Sequence, residues 1–214
     1  MLRLSSEKHD AARRAANDVL RLLGDRYAGG FRTYKCTHAG QAEVLQMCRE
    51  WPEQLHSGGD SKTLVLFGPC GTGKDHLALA AAMHSVKLSL ETDTPQVLRF
   101  ANGRDVFARL RDGMDAGDAE RLTLGPLQNA GLLVLSDPCG VGTLTPWQFD
   151  VLYRLVDARY VRCLPTIVTL NAATVEAAEQ QLGFKTFDRL ADGAWLAACQ
   201  WPSYRRPSRQ FVPT

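Results

Sequence analysis

The fold of the chain is decided by residues 63–82, TLVLFGPCGTGKDHLALAAA. A short apolar run leads directly into a glycine-rich loop, and the loop opens a stretch with a helical pattern. The loop has the spacing G-x-x-x-x-G-K of a phosphate-binding loop, in the order strand, loop, helix that such a loop requires. Its residues are Gly68, Pro69, Cys70, Gly71, Thr72, Gly73 and Lys74.

The residue types of this loop suit the binding of an anion. Glycines adopt dihedral angles that let successive backbone N–H groups point inward, and the helix N-terminus adds its dipole. Lys74 has the length to reach the β and γ phosphates of a nucleotide. The sequence therefore predicts an ATP site here, and the simpler interpretation is a glycine-rich turn capped by Asp75.

One position departs from the usual pattern of the loop. Asp75 stands where a serine or threonine normally gives its hydroxyl to Mg²⁺. A carboxylate is a good ligand for a hard cation, so Asp75 is predicted to bind the metal directly, with His76 completing the cofactor site. Because the carboxylate also repels the phosphates, we expect nucleotide binding to depend steeply on Mg²⁺.

Further apolar runs alternate with helical stretches on both sides of this loop. The runs at 63–67, 96–100, 132–136 and 165–170 are predicted to be buried strands, and 74–90, 103–112 and 146–161 are predicted to be helices. Thr145 and Pro146 form a typical start for the last of these helices. The alternation predicts an α/β three-layer sandwich with a mostly parallel sheet, the fold of P-loop NTPases.

The remaining segments suggest how the chain is divided. Residues 6–23 have the pattern of an amphipathic helix that ends at Gly24, and 41–55 are also helical. The Gly- and Asp-rich stretch 113–125 is interpreted as a mobile connection. We expect an N-terminal appendage over 1–28, a nucleotide-binding domain over 29–206 and a basic C-terminal tail over 207–214.

Composition excludes several classes of protein. With 214 residues, 45% hydrophobic and 22% charged, the chain is long enough for one globular domain with a short extension. The net charge is only +2, so binding of nucleic acid requires a local basic patch. The six cysteines include no C-x-x-C pair, which argues against a zinc site. The sequence has no signal peptide and no long apolar segment, which predicts a cytoplasmic protein without membrane contact.

A second motif follows the third apolar run. In LLVLSDP, Asp137 comes at the end of the strand, where P-loop proteins keep the aspartate that holds Mg²⁺. The next residue is Pro138, although ATPases of this type usually have a glutamate there that polarises the attacking water. Proline offers no base, so hydrolysis is predicted to be slow. The simpler interpretation is a turn that ends the strand.

Several segments together resemble a known family. GPCGTGKDHLALA, LLVLSDPCGV, PTIVTLNAAT and FDRLADGAWLAACQWPSYR are similar to the AAA+ ATPases of the DnaC/IstB class, which includes helicase loaders and transposition ATPases. The resemblance spans about residues 30–206, and GKDHL is closer to the DnaC branch than to the IstB branch.

The resemblance implies roles for residues outside the loop. Asn171 takes the place of the polar residue that contacts the γ-phosphate or its attacking water, and its alternative is a turn residue. Arg189 takes the place of the arginine finger that reaches a neighbouring subunit's nucleotide, with Lys185 assisting. The alternative for Arg189 is a surface arginine paired with an adjacent aspartate. Arg205 is placed near the nucleotide or the subunit interface.

The resemblance also implies a function. It favours an ATP-binding helicase loader that acts with a replicative helicase and single-stranded DNA, forms an ATP-dependent homo-oligomer and hydrolyses ATP weakly. A basic strip on and beyond the predicted helix 103–112 could contact the DNA; it consists of Arg104, Arg109, Arg111 and Arg121. Phe107 of this helix is expected in the core. The alternatives are an IstB-like transposition ATPase acting on duplex DNA, a P-loop scaffold without nucleotide and a small-molecule kinase. Loaders carry a larger N-terminal module, so partner binding by residues 1–26 stays open.

Overall fold

The computed structural model describes residues 2–24, 29–113, 118–140 and 143–205. Its centre is a five-stranded sheet in which all neighbouring strands run parallel, in the order β2-β3-β4-β1-β5. Parallel strands are covered on both faces, and the three central strands are accordingly buried at every residue. The strands are β1 Thr63–Phe67, β2 Leu98–Asn102, β3 Leu132–Ser136, β4 Thr166–Leu170 and β5 Trp195–Ala198.

Helices cover both faces of the sheet and confirm the predicted three-layer α/β sandwich. One hydrophobic cluster joins the sheet to the first three helices, and a second joins its other face to the remaining five in the described ranges. The helices are α1 Leu2–Leu23, α2 Gln41–His56, α3 Lys74–Glu91, α4 Gly103–Asp112, α5 Ala119–Gln128, α6 Pro146–Val161, α7 Val175–Leu182 and α8 Phe184–Ala191.

The structure corrects several sequence-based boundaries. The second strand lies at Leu98–Asn102 and not at 96–100. In the stretch interpreted as a mobile connection, residues 114–117 lie outside the described residues, and its later part contains the start of α5, which runs to Gln128 although Pro126 lies inside it. Helices α7 and α8 have eight residues each and strand β5 has four, and they were not predicted because hydrophobic periodicity is counted over windows of about 11–18 residues.

The N-terminal helix packs closely against the rest of the fold. Helix α1 contacts β2 and α3, and Ala12, Ala16 and Val19 are buried. The helix ends at Leu23, followed by Gly24 with φ 71°, a left-handed conformation typical of a residue after a helix. The predicted tail over 207–214 lies outside the described residues. No helix in the described part of the chain is both long and apolar enough to cross a membrane.

A buried arginine fastens the amino end of the sheet. Arg159 of α6 is 1% exposed and donates hydrogen bonds to the carbonyl oxygens of Leu127, Ala130 and Pro165 at 2.6–2.9 Å. Its Nε also donates to the hydroxyl of Thr166 at 2.9 Å. Burial lowers the pKa of Arg159 to about 10, which still leaves the guanidinium charged at neutral pH. The residue therefore links α5, α6 and the start of β4.

Candidate functional site

A cavity of about 550 Å³ opens at the carboxyl end of the sheet. Ligands of parallel α/β sheets bind at this end, and the volume suits a nucleotide. Six residues of the predicted cofactor segment line it, together with Asp137, Asn171 and Arg205; the six are Cys70, Gly71, Gly73, Lys74, Asp75 and His76. Sequence reasoning did not single out its other lining residues, which are Thr33, Tyr34, Lys35, Thr37, Asn102, Ser136, Thr169 and Tyr204.

The phosphate loop has the predicted position between β1 and α3. Gly68, Gly71 and Gly73 have φ angles of 149°, 83° and 87°, which side chains rarely tolerate. Helix α3 begins at Lys74, so its N-terminus faces the cavity. Pro69 and Thr72 do not line the cavity, and the Thr72 hydroxyl donates a 3.0 Å hydrogen bond to the Pro69 carbonyl. These features are typical of a loop that binds phosphate.

The side chain of Lys74 lies across the loop. Its ammonium donates hydrogen bonds to the carbonyl oxygens of Gly68 at 2.8 Å and Pro69 at 2.7 Å. Lys74 is 7% exposed, and burial lowers its pKa, which nearby carboxylates partly oppose. The positive charge is therefore held at the centre of the loop by backbone oxygens.

Asp75 is bound by two hydroxyl groups from the sheet. The Ser136 hydroxyl at the end of β3 donates to its Oδ1 at 3.0 Å, and the Thr169 hydroxyl in β4 donates to the same oxygen at 2.7 Å. Both hydrogen bonds use the same carboxylate oxygen, and Asp75 also lines the cavity. The carboxylate is thus fixed between the loop and the strand ends.

Asp137 follows β3 in a left-handed conformation with φ 42°. Its backbone N–H donates to the Thr169 carbonyl at 3.0 Å. Burial raises the pKa of the Asp137 carboxyl, the charge of Asp75 adds to this effect, and Asn171 and Lys74 oppose it. Pro138 does not line the cavity, whose only described carboxylates are Asp75 and Asp137.

The C-terminal segment closes one side of the loop. The indole N–H of Trp201 donates to the Thr72 carbonyl at 2.8 Å, and the Tyr204 N–H donates to the Gly71 carbonyl at 2.9 Å. The contact requires glycine at position 71, because a Cβ there would lie 2.0 Å from the Ser203 hydroxyl oxygen. This packing brings Arg205 to the cavity, as the resemblance implies.

The segment before α2 forms the other side of the cavity. The Tyr204 hydroxyl donates to the Lys35 carbonyl at 2.5 Å, and its ring packs edge-on against Tyr34 with centroids 5.9 Å apart. Tyr34 also contacts the His76 ring at 5.6 Å, and His76 Nε2 lies 2.7 Å from the Gly30 carbonyl. Aromatic rings therefore flank the loop on this side.

Arg189 lies outside this cavity. It lines a second cavity of about 340 Å³ that also includes Arg159. Its guanidinium pairs with Asp157 and lies over the Tyr153 ring, 4.8 Å from the ring centroid. The hydrogen bond that it donates to Asp157 raises the pKa of Arg189. The partner is thus Asp157 and neither of the adjacent aspartates. A residue that acts on a neighbouring subunit is not required at its own phosphate loop.

The arginines of the predicted basic strip lie on or near α4. Arg104, Arg109 and Arg111 are exposed and form no ion pair with the described residues, whereas Arg121 pairs with Asp118. Phe107 is 5% exposed and packs against Trp147, so it belongs to the core as expected.

The donor set of the cavity fits Mg²⁺ bound together with phosphates. The described residues include no group of three or more His, Cys, Asp or Glu side chains that could hold a metal alone. Mg²⁺ usually needs only one or two carboxylates, with water and substrate phosphates supplying the other ligands. Asp75 and Asp137 supply such carboxylates beside the phosphate loop.

The parallel sheet, the phosphate loop and the polar residues at the strand ends define a P-loop NTPase. The family described as IstB-like ATP binding protein matches residues 54–209. The chain belongs to this family, which confirms the DnaC/IstB-like assignment and ATP as the nucleotide. Among curated proteins, none matches the chain.

Solved structures show the same fold. The DnaC helicase loader has a TM-score of 0.65 at 24% identity, with 82% of this chain and 99% of that chain covered. DnaI has a TM-score of 0.61 at 18% identity, with coverages of 77% and 87%. The replication initiator DnaA bound to AMPPCP and single-stranded DNA has a TM-score of 0.60 at 15% identity. The match covers 82% of this chain and 50% of the DnaA chain.

Proposed function

We propose that this protein is an ATP-dependent switch of the helicase-loader type, which acts with a replicative helicase on single-stranded DNA in the cytoplasm. In this proposal residues 29–206 form the ATPase domain, and bound Mg²⁺·ATP favours a homo-oligomer. The observation that carries it is the phosphate-loop cavity, in a fold shared with a helicase loader over nearly all of that loader's chain.

The residues around the cavity suit the parts of Mg²⁺·ATP. Lys74 and the loop amides would hold the β and γ phosphates, and Asp75 and Asp137 would hold or neighbour the metal. Asn171 would contact the γ-phosphate, and Arg205 would add positive charge. The aromatic side formed by Tyr34 and Tyr204 offers an apolar surface for the base.

We expect hydrolysis to be slow. No glutamate lines the cavity among the described residues, and the residue after Asp137 is proline. Loss of a general base typically lowers the rate by about 10²- to 10⁴-fold. Such a protein spends most of its time in the ATP-bound state, which suits a binding switch.

Single-stranded DNA is favoured by the similarity to DnaA in complex with AMPPCP and single-stranded DNA. In this chain the exposed Arg104 and Arg111 lie about two turns apart on α4, hence on one helix face, and are free to contact phosphates. The family match favours a second candidate, an IstB-like transposition ATPase, which would prefer duplex DNA.

ATP-dependent DNA binding tests the proposal. Binding of labelled single-stranded and duplex oligonucleotides would be measured with and without Mg²⁺·ATP, at two salt concentrations, for the parent, Lys74→Ala and Lys87→Ala. Lys87 is an exposed residue of the same helix, so its variant is the matched control. We expect ATP to strengthen single-strand binding about tenfold in the parent and the control, and not in Lys74→Ala.

Other outcomes contradict parts of this proposal. A preference for duplex DNA would support the transposition candidate. DNA binding that ATP changes in none of the three proteins would contradict the ATP switch. Absence of DNA binding in all three proteins would indicate a P-loop scaffold that acts through protein contacts alone.

A further inference from the structure

We propose that the two protein groups of the Mg²⁺ site have exchanged positions, so that helix α3 supplies the carboxylate, Asp75, and strand β3 supplies the hydroxyl, Ser136. This inference rests on the proposed binding of Mg²⁺·ATP at the phosphate loop. It assigns Ser136 to the site and gives Asp137 a different role from the metal ligand expected above.

The first observation is the contact between the two side chains. In P-loop NTPases the residue after the loop lysine gives a hydroxyl to the metal, and the strand gives an aspartate. Here the residue after Lys74 is Asp75, and the strand residue that faces it is Ser136, with their oxygens 3.0 Å apart. The two positions therefore still hold one carboxylate and one hydroxyl, but each on the opposite element.

The second observation is the register of the sheet. Strand β3 ends at Ser136, which pairs with Thr169 of β4 and Asn102 of β2. Asp137 lies beyond the strand and has a left-handed backbone. The strand-end position thus belongs to Ser136, and Asp137 takes the next position, where ATPases of this type have their water-polarising glutamate. Pro138 is then one residue further on and outside the cavity.

The third observation is a hydroxyl that stabilises the exchanged carboxylate. Thr169 donates a 2.7 Å hydrogen bond to the same oxygen of Asp75 and is 1% exposed. Two hydroxyl donors compensate for moving a negative charge to the start of α3, where the helix dipole also favours it. Asp137, one methylene shorter than glutamate, is left to act on water, which is consistent with slow turnover.

A double-mutant cycle tests the exchange. The affinity for a fluorescent ATP analogue, and the Mg²⁺ concentration that half-saturates its binding, would be measured for the parent, Asp75→Thr, Ser136→Asp and the double variant. Asp75→Thr leaves no carboxylate in the pair, and Ser136→Asp leaves two that repel each other. We expect each single variant to lose at least about tenfold in Mg²⁺-dependent affinity, and the double variant to recover to within about threefold of the parent.

The cycle has clear contrary results. If the losses of the single variants multiply in the double variant, the two positions are independent and the exchange is wrong. Ser136→Ala provides a second route should Ser136→Asp fail to fold, since it removes one hydrogen bond to Asp75 without adding charge. Ser136→Ala should weaken Mg²⁺-dependent binding about threefold. Equal affinity of the parent and Ser136→Ala would overturn the assignment of Ser136.

Asp137 provides the remaining comparison. Asp75→Asn should raise the half-saturating Mg²⁺ concentration about tenfold more than Asp137→Asn does, because only Asp75 belongs to the metal pair. The reverse order would make Asp137 the metal carboxylate and reject the exchange. Lys74→Ala separates failure of the exchange from failure of the proposed function. If the parent binds the nucleotide no better than Lys74→Ala does, the proposed function fails, whereas binding that depends on Lys74 leaves it intact even if the exchange is rejected.

Discussion

The polar groups at the two ends of the parallel sheet differ in their surroundings. At the amino end the guanidinium of Arg159 is surrounded by three carbonyl oxygens and one hydroxyl. At the carboxyl end Lys74, Asp75 and Asp137 face an open cavity of about 550 Å³. Strand β4 contributes a threonine to each end, Thr166 to the first and Thr169 to the second.

The difference separates stability from binding within one sheet. A buried polar network with all its partners stabilises the fold, and removing one member leaves the others without hydrogen bonds. At the carboxyl end Asp75 lines an open cavity and has two hydroxyl donors, so the loss of one donor costs little stability and changes what can bind there. The predictions below test this division by its effect on the free energy of unfolding, beginning with the largest.

Arg159→Met should cause the largest loss of stability. The substitution keeps most of the side-chain volume but removes the donors that serve Leu127, Ala130, Pro165 and Thr166. The Pro165 carbonyl keeps the Leu133 N–H at 3.2 Å, whereas the Leu127 and Ala130 carbonyls lose the Arg159 donor. Each of these two unsatisfied carbonyls costs about 1–2 kcal/mol, so we expect a loss of about 3 kcal/mol in urea unfolding. Binding of an ATP analogue by the folded fraction should be unchanged. A loss below about 1 kcal/mol would show that the amino end is not a closed network.

A matched pair of substitutions in β4 comes next. Thr166→Val removes the hydroxyl that accepts from Arg159, and should cost about 1–2 kcal/mol without affecting nucleotide binding. Thr169→Val removes a donor to Asp75 at the cavity, and should change stability by less than about 0.5 kcal/mol while lowering Mg²⁺-dependent affinity several-fold. Both are nearly isosteric changes three residues apart. Equal losses of stability in the two variants would contradict the division between the ends.

The sequence predicted the parts of this site that depend on local pattern. The glycine loop, its lysine and the flanking strand and helix are contiguous over residues 63–82, and the structure has them in that order. The hydroxyl partners of Asp75 could not be predicted, because Ser136 and Thr169 are distant in sequence and meet it only through the order of the strands. Sequence alone also leaves open which residue of Ser136-Asp137 ends the strand.

Strand β5 and the contacts of Tyr204 could not be predicted from the sequence for similar physical reasons. Strand β5 has four residues at the sheet edge and only one of them is buried, so its apolar run is short and ambiguous. Tyr204 was quoted within a family motif, but its contact with the Lys35 carbonyl joins segments 169 residues apart. Such long-range contacts complete the cavity and leave no periodic signal in the sequence.

Arg189 tests whether the second cavity is entirely structural. Its side chain lines this cavity beside Arg159, yet it is partly exposed and held by Asp157 and the Tyr153 ring. A partly exposed ion pair contributes little to stability, so Arg189→Ala should leave the unfolding midpoint nearly unchanged, the smallest effect of the three.

The same substitution should abolish ATP-stimulated assembly, measured by analytical ultracentrifugation with and without Mg²⁺·ATP, while the monomer still binds the nucleotide. Arg154→Ala is the matched control, because Arg154 of α6 likewise forms ion pairs with carboxylates, those of Asp150 and Glu120, and does not line this cavity. Assembly of Arg189→Ala at the parent's level would show that Arg189 is not an arginine finger. Only a loss of stability in the same variant would extend the stabilising role of the amino end to this cavity.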